Sequence, residues 1–249
     1  MRKNKLGQVR VIPVAPLAEI NQMSEQPPLE VPIRDRIAAG RALVPLLSAY
    51  RGQADAIVLA LPRGGVPVAY EIAVALDLRL DLLLVRKLGV PGHEEYAMGA
   101  IASGGVRVLN GEVLQMLDLR SETIEAAVAR ETRELQRRDH TYRGDRAAPI
   151  LRGQQVILVD DGLATGATMR AAVQAARQQE PLSVTVAVPV GAADSLQLLQ
   201  AEADEVICPV IPEALMSIGS WYLDFSQTSD RQVLDLLQRA WQRPCERRQ

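Results

Sequence analysis

At 249 residues the chain is long enough for one large domain, and a hydrophobic share of 48% with only 3% aromatics describes a core of Ala, Val, Leu and Ile. Such a core suits helices laid on a parallel sheet. The 28 basic and 30 acidic residues leave a formal charge of −2, which argues against nucleic acid or a membrane surface as the main partner.

Cys208 and Cys245 have neither CxxC spacing nor neighbouring histidines. Neither a zinc site nor a disulfide framework is indicated, and free thiols in a reducing cytoplasm are expected. Residues 1–31 combine Arg2, Lys3, Lys5 and Arg10 with Pro13, Pro16, Pro27 and Pro28, and read as a flexible or loosely packed extension. A secretory signal needs an uninterrupted core of about seven apolar residues, which Gln8, Arg10 and the prolines break. With no apolar run long enough to span a bilayer, a soluble cytoplasmic protein is expected.

A first helix is predicted over 34–50, with Ile37, Leu43, Leu46 and Leu47 on one face and Pro45 as a kink or break. Residues 56–61, Ala-Ile-Val-Leu-Ala-Leu, form a buried strand that runs into Pro62-Arg63-Gly64-Gly65 and then an Ala/Val-rich helix over 66–76. Tandem glycines at a helix start let backbone N–H groups approach an anion, and Arg63 adds a fixed charge. A plain turn is the competing reading of that tetrapeptide.

The next predicted strand, 80–85, ends at Arg86-Lys87 and opens into 88–96, where Gly89, Pro91 and Gly92 suit a hinged lid. Only three of the 28 basic residues are lysines, Lys3, Lys5 and Lys87. Lys87 is therefore the only lysine of the expected folded body, a place where a compact ammonium is wanted. His93, Glu94 and Glu95 could act in the lid or remain solvated. Gly104-Gly105 between 97–103 and 106–110 signals a hairpin at the sheet edge. A long helix capped by Ser121 then carries Ile124, Val128, Leu135 and Tyr142 on its apolar face, with His140 on the surface.

Residues 156–168 read Val-Ile-Leu-Val-Asp-Asp-Gly-Leu-Ala-Thr-Gly-Ala-Thr. Four aliphatic residues, three of them β-branched, make a strand buried on both faces. Asp160 and Asp161 stand at its carboxyl end, where open α/β sheets bind ligands. Gly162 and Gly166 permit tight turns, and Thr165 and Thr168 add hydroxyls beside the backbone N–H groups of a helix start, which makes a phosphate cradle. Adjacent carboxylates suit paired sugar hydroxyls or hydrated Mg²⁺, although the same acids could merely cap. Phosphate and diol together suggest a ribose 5-phosphate group. A Walker A loop would need lysine where Ala167 stands.

Strands over 183–189 and 206–210, with a helix over 192–201 between them, continue the βαβ alternation. Trp221, Tyr222 and Phe225 then cluster before a last helix over 229–241, and either pack that helix or line a base-sized pocket.

Over all thirteen positions, 156–168 closely resembles the diphosphoribosyl-binding motif of type I phosphoribosyltransferases. The whole chain is similar to small, uncharacterised bacterial members with Pro-Arg-Gly-Gly, Arg-Lys-Leu-Gly, Asp-Asp-Gly-x-Ala-Thr-Gly and Tyr-x-Asp-Phe segments. The resemblance implies an α/β fold of that type over 32–241, a mainly parallel sheet with helices on both faces and a small hood or lid, followed by a tail over 242–249. It implies 5-phosphoribosyl 1-pyrophosphate as donor, Mg²⁺ as cofactor, and an unidentified acceptor resembling a nucleobase nitrogen. Asp160 and Asp161 would hold the ribose hydroxyls and the ion, as outer-shell contacts. The loop Gly162, Leu163, Ala164, Thr165, Gly166, Ala167 and Thr168 would bind the 5-phosphate. Pro62, Arg63, Gly64 and Gly65, with a cis peptide between Pro62 and Arg63, would bind pyrophosphate with help from Lys87.

Ala164 departs from 6-oxopurine transferases, which carry an acid there, so hypoxanthine and guanine are disfavoured as acceptors. A sensor that binds the donor without turnover, and a hydrolase using the same site, remain alternatives. The expected partners are small molecules, neither nucleic acid nor membrane, with a homodimer left open.

Overall fold

The structure is a computed structural model that describes residues 29–90, 93–109 and 121–243. Expectations for residues 1–28 and 244–249 lie outside the described residues. Five strands form a parallel sheet: β1 (Ala56–Ala60), β2 (Arg79–Leu82), β6 (Gln155–Val159), β7 (Ser183–Ala187) and β8 (Glu205–Ile207), in the order β2-β1-β6-β7-β8. The two strands that carry the anticipated loops are direct neighbours, with Ala60 opposite Val159.

The side-chain alternation of a strand feeds two cores here. Ala56, Val58, Ala60, Ile157 and Val159 join the core on one face of the sheet. Ile57, Leu59, Val156 and Leu158 join the core on the other. Helices α1 (Arg36–Leu43), α2 (Gly65–Leu76) and α6 (Asp230–Gln242) cover the first face, while α4 (Ala167–Arg177) and α5 (Ala193–Gln200) cover the second. This two-sided cover explains why the central strands read as continuous apolar runs.

The predicted first helix is split at Pro45, as expected, into α1 and a 3₁₀ helix, Pro45–Tyr50. Its start is set by Asp35, whose side chain accepts from the Ala38 N–H at 2.7 Å. Leu43 and Leu47 of the predicted apolar face are buried, but Ile37 is 41% exposed, and Ala39 takes its place in the core.

The expectation over 80–96 needs a larger correction. The chain leaves the main sheet after Leu82 and enters β3 (Val85–Val90), which pairs antiparallel with β4 (His93–Ala102), itself paired with β5 (Val106–Leu109). Arg86 and Lys87 thus lie inside a strand of a separate three-stranded sheet rather than at a strand end, and 88–90 are strand rather than loop. The Gly104-Gly105 hairpin forms as predicted, with φ of 86° and 79°, but in this second sheet rather than at the edge of the first. α3 (Ser121–Arg143) and α4 pack against the second sheet.

One end of α3 carries a buried charge. Arg143 is buried, with its guanidinium 2.9 Å from Asp81 of β2 and also bonded to Asp139 and the Leu82 carbonyl. Removing this side chain would leave the buried Asp81 carboxylate with only the half-exposed Arg146, 4.0 Å away, as a charged partner, so the Arg143 pair locks α3 to the sheet.

Candidate active site

The carboxyl ends of β1 and β6 carry two loops in atomic contact. The first begins where the Leu61 N–H donates to the Val159 carbonyl at 2.9 Å, and turns through a cis peptide between Pro62 and Arg63 into α2. A Cβ on Gly64 would stand 1.9 Å from Asp161 Oδ2, and one on Gly65 2.6 Å from the Val159 carbonyl oxygen and 2.9 Å from Asp160 Cα. Only glycine lets the first loop lie this close against the acids.

The second loop runs from Asp160 to the start of α4. Its middle is stitched to the β7–α5 connection: the Leu163 N–H donates to the Val190 carbonyl and the Ala192 N–H to the Leu163 carbonyl, both at 2.9 Å. Ser195 Oγ donates to the Ala164 carbonyl at 2.6 Å. Gly166, at φ 72°, precedes α4, and no side chain caps that helix. The first N–H groups of α4 therefore face outward at the positive end of the helix dipole, beside exposed Thr165, Ala167 and Thr168. An anion fits there. Leu163 points elsewhere, its side chain buried in the second core, so only its backbone is available to a ligand.

The acidic pair is half-buried and asymmetric. Asp160 Oδ1 accepts from the Asp161 N–H at 2.9 Å. Burial, and then the charge of Asp161, push the Asp160 carboxyl well above the usual carboxylate range. Asp161 receives the Nε–H of Arg36 at 2.8 Å, with the two side chains only 15% and 11% exposed. Burial raises its carboxyl too, against the opposing pull of Arg36.

A C-terminal segment closes over this pair. Its backbone pairs with residues 33–34: the Ile33 N–H donates to the Trp221 carbonyl at 2.7 Å and the Leu223 N–H to the Ile33 carbonyl at 2.8 Å. The Tyr222 hydroxyl then donates to the Asp161 carbonyl at 2.6 Å, and burial pushes that hydroxyl above its ordinary pKa. Phe225 lies under the Arg36 guanidinium, 4.0 Å from its ring centre, with the Tyr222 ring at 4.9 Å. The aromatic cluster is thus packed on the acidic pair and α1.

Arg63 reaches the other way, its Nη1 3.8 Å from Asp230 Oδ1, the oxygen that also accepts from the Tyr142 hydroxyl at 2.6 Å. Burial, then the hydrogen bond to Asp230, push the Tyr142 hydroxyl up to about 12. Lys87 is exposed in β3, opposite Ala100. The side chains of His93, Glu94 and Glu95 lie outside the described residues. A cavity of about 470 Å³ opens at the amino ends of β1 and β2, between Ile57, Leu80, Arg146 and Trp241, away from both loops.

The convergence of 62–65 with 160–168 at the carboxyl ends of adjacent parallel strands, under a C-terminal hood, defines a type I phosphoribosyltransferase domain. The family described as phosphoribosyl transferase domain matches residues 35–219, and the chain belongs to it. Two relatives from Mycobacterium tuberculosis, named "Putative phosphoribosyl transferase MT0597" (strain CDC 1551 / Oshkosh) and "Putative phosphoribosyl transferase Rv0571c" (strain ATCC 25618 / H37Rv), are each 45% identical over 206 residues. The match takes in 83% of this chain and 46% of theirs, so the chain spans about half the length of these curated relatives. Among solved structures, TT1426 from Thermus thermophilus is similar with a TM-score of 0.75 and 41% identity, covering 82% of this chain and 96% of that one.

Sequence reasoning missed Arg36, Asp230 and Ser195. The aromatic cluster of Trp221, Tyr222 and Phe225 was the available signal for the C-terminal segment, and by itself it reads as packing the last helix or lining a base-sized pocket rather than as covering the acids.

Proposed function

We propose that the protein transfers a 5-phosphoribosyl group from 5-phosphoribosyl 1-pyrophosphate to a nucleophile, with a nucleobase-type nitrogen as the acceptor class, and releases pyrophosphate. The observation that carries this reading is the direct packing of the 62–65 loop on the acidic pair. It supplies one continuous surface with donors for pyrophosphate, carboxylates for a diol, and the α4 start for a 5-phosphate.

In this reading the exposed hydroxyls and N–H groups of 164–168 hold the 5-phosphate, while Asp160 and Asp161 accept hydrogen bonds from the ribose hydroxyls. Arg63 and the Gly64 N–H receive the pyrophosphate, with Lys87 assigned to the same charge; Gly65, whose own N–H donates to the Leu61 carbonyl at 3.1 Å, lets the loop approach. The C1–O bond to pyrophosphate breaks, a bond from C1 to the acceptor nitrogen forms, and that nitrogen loses its proton. Catalysis is positioning and electrostatic stabilisation of the departing charge.

Among the described residues no group of three or more His, Cys, Asp or Glu gathers to hold a metal, and the pair at 160 and 161 offers two carboxylates. Mg²⁺ commonly keeps several waters and binds one or two carboxylates together with substrate phosphates, so this donor set fits an ion that comes with the donor. When bound it would neutralise pyrophosphate charge. Ala164 presents a methyl group where 6-oxopurine transferases have an acid, which supports an acceptor other than hypoxanthine or guanine.

The test is titration calorimetry of 5-phosphoribosyl 1-pyrophosphate with Mg²⁺, followed by pyrophosphate release across a panel of bases. Donor binding and base-dependent release support transfer. Binding without release supports a sensor, and base-independent release a hydrolase.

A further inference from the structure

Arg36 lies outside both phosphate loops, yet it makes the closest ion pair in the site. Its Nε–H donates to Asp161 Oδ2 at 2.8 Å, its Nη1–H to the Ser226 carbonyl at 2.7 Å, and its guanidinium lies 4.0 Å over the Phe225 ring. Three contacts fix a planar fork that is 11% exposed. Asp161 is held as tightly: Gly64 packs on its carboxylate, and its backbone carbonyl accepts from the Tyr222 hydroxyl. The carboxylate fills the space a Cβ on Gly64 would take, 1.9 Å from Oδ2, so it rests against the glycine on one side and is held by Arg36 on the other.

Resting on the phosphoribosyl reading above, we propose that Arg36 is a positioning residue of the donor site. It holds the Asp161 carboxylate at the angle at which ribose hydroxyls reach it, and it ties that carboxylate to residues 222–226, so the hood segment becomes part of the donor site. Arg36 acts through Asp161 rather than on the donor. Two consequences distinguish this role from general packing. The effects of Arg36 and Asp161 on donor affinity converge on one carboxylate and do not add. A lysine restores the charge but not the fork that spans Asp161 and Ser226, so it recovers only part of the loss.

The experiment is calorimetric titration of 5-phosphoribosyl 1-pyrophosphate with Mg²⁺ into wild type, Arg36→Met, Arg36→Lys, Asp161→Asn and the double variant Arg36→Met/Asp161→Asn, each checked for folding by circular dichroism and melting. Arg36→Met is expected to raise the donor Kd by about tenfold or more, the scale of one lost charge-assisted hydrogen bond. Arg36→Lys is expected between it and wild type, and the double variant no weaker than the weaker single variant. If Arg36→Met does not fold, Arg36→Lys carries the test.

Wild-type donor affinity in folded Arg36→Met, or in Arg36→Lys where that alone folds, overturns the proposal. So does a double variant whose loss is the product of the two single losses. A wild-type protein that binds no donor overturns instead the phosphoribosyl reading on which this role rests.

Discussion

Alanine at Gly65 and alanine at Gly64 test the contact between the two loops from opposite sides. At Gly65 the added methyl group meets main chain: 2.6 Å to the Val159 carbonyl oxygen and 2.9 Å to Asp160 Cα, both at the end of β6. That strand lies between β1 and β7 in the middle of the sheet and cannot move without breaking ladder hydrogen bonds. Overpacking of this kind costs about 1–3 kcal/mol. For a domain of this size the melting temperature should fall by about 2–12 °C. At Gly64 the three nearest atoms to the methyl group all belong to the Asp161 carboxylate, 1.9 Å from Oδ2 and 2.5 Å from Cγ, so the fold gives by pushing that side chain off Arg36. Gly64→Ala should therefore cost less stability than Gly65→Ala but weaken donor binding by about tenfold or more. Differential scanning calorimetry and donor titration on both variants check this. A Gly65→Ala protein that melts with wild type, or a Gly64→Ala protein that binds donor like wild type, would refute the contact.

Other consequences follow from buried groups. Arg143→Ala leaves the buried Asp81 with only the more distant Arg146 as a charged partner and should cost up to about 3–5 kcal/mol, measured by urea unfolding; a loss under about 1 kcal/mol would mean the pair does not anchor α3. Asp160→Asn should raise the melting temperature at pH 7 while donor binding is lost. Burial and the Asp161 charge raise the folded Asp160 carboxyl above its unfolded value, so the folded state binds the proton more tightly, and the resulting penalty is full above the folded pKa. The advantage of Asn over Asp should shrink as pH falls through that folded pKa, and a less stable variant at pH 7 would contradict the electrostatics. Burial pushes the Cys208 thiol up to about 12, so in a Cys245→Ser background a thiol reagent at pH 8 should react only on unfolding. Prompt stoichiometric labelling of the native protein would contradict that.

The parts of the fold that were legible in the sequence are those in which local chemistry and tertiary role coincide. β1 and β6 are buried on both faces and end in glycine-rich loops, so an apolar run and a turn signal mark both strand and site. The cis peptide at Pro62–Arg63 was accessible through family resemblance rather than residue pattern, while the aromatic cluster at 221–225 reads from its residues as helix packing or a base-sized pocket, not as a cover over the acids. The break between β2 and β3 was hidden because Leu83 and Leu84 are as apolar and buried as Leu80 and Leu82 before them, and an apolar run does not record a change of sheet. Arg143 reads as one more charge on an arginine-rich helix, and only packing reveals the acid on β2 that lets it be buried. Arg36 and Asp161 are separated by 125 residues, and neither carries a local mark of the other. Pairwise electrostatics across the fold was the least readable level, and it is the level that shapes the acidic pair.

The central claim is that the paired loops bind a phosphoribosyl donor through Asp160 and Asp161. Its most direct test is calorimetric titration of 5-phosphoribosyl 1-pyrophosphate with Mg²⁺ into the wild type and into Asp160→Asn/Asp161→Asn. The account predicts saturable binding at one site per chain in the wild type, and no measurable binding in a double variant that still folds. Unchanged affinity in the double variant would show that the acids only cap the loop, and absence of binding in the wild type would contradict the account as a whole.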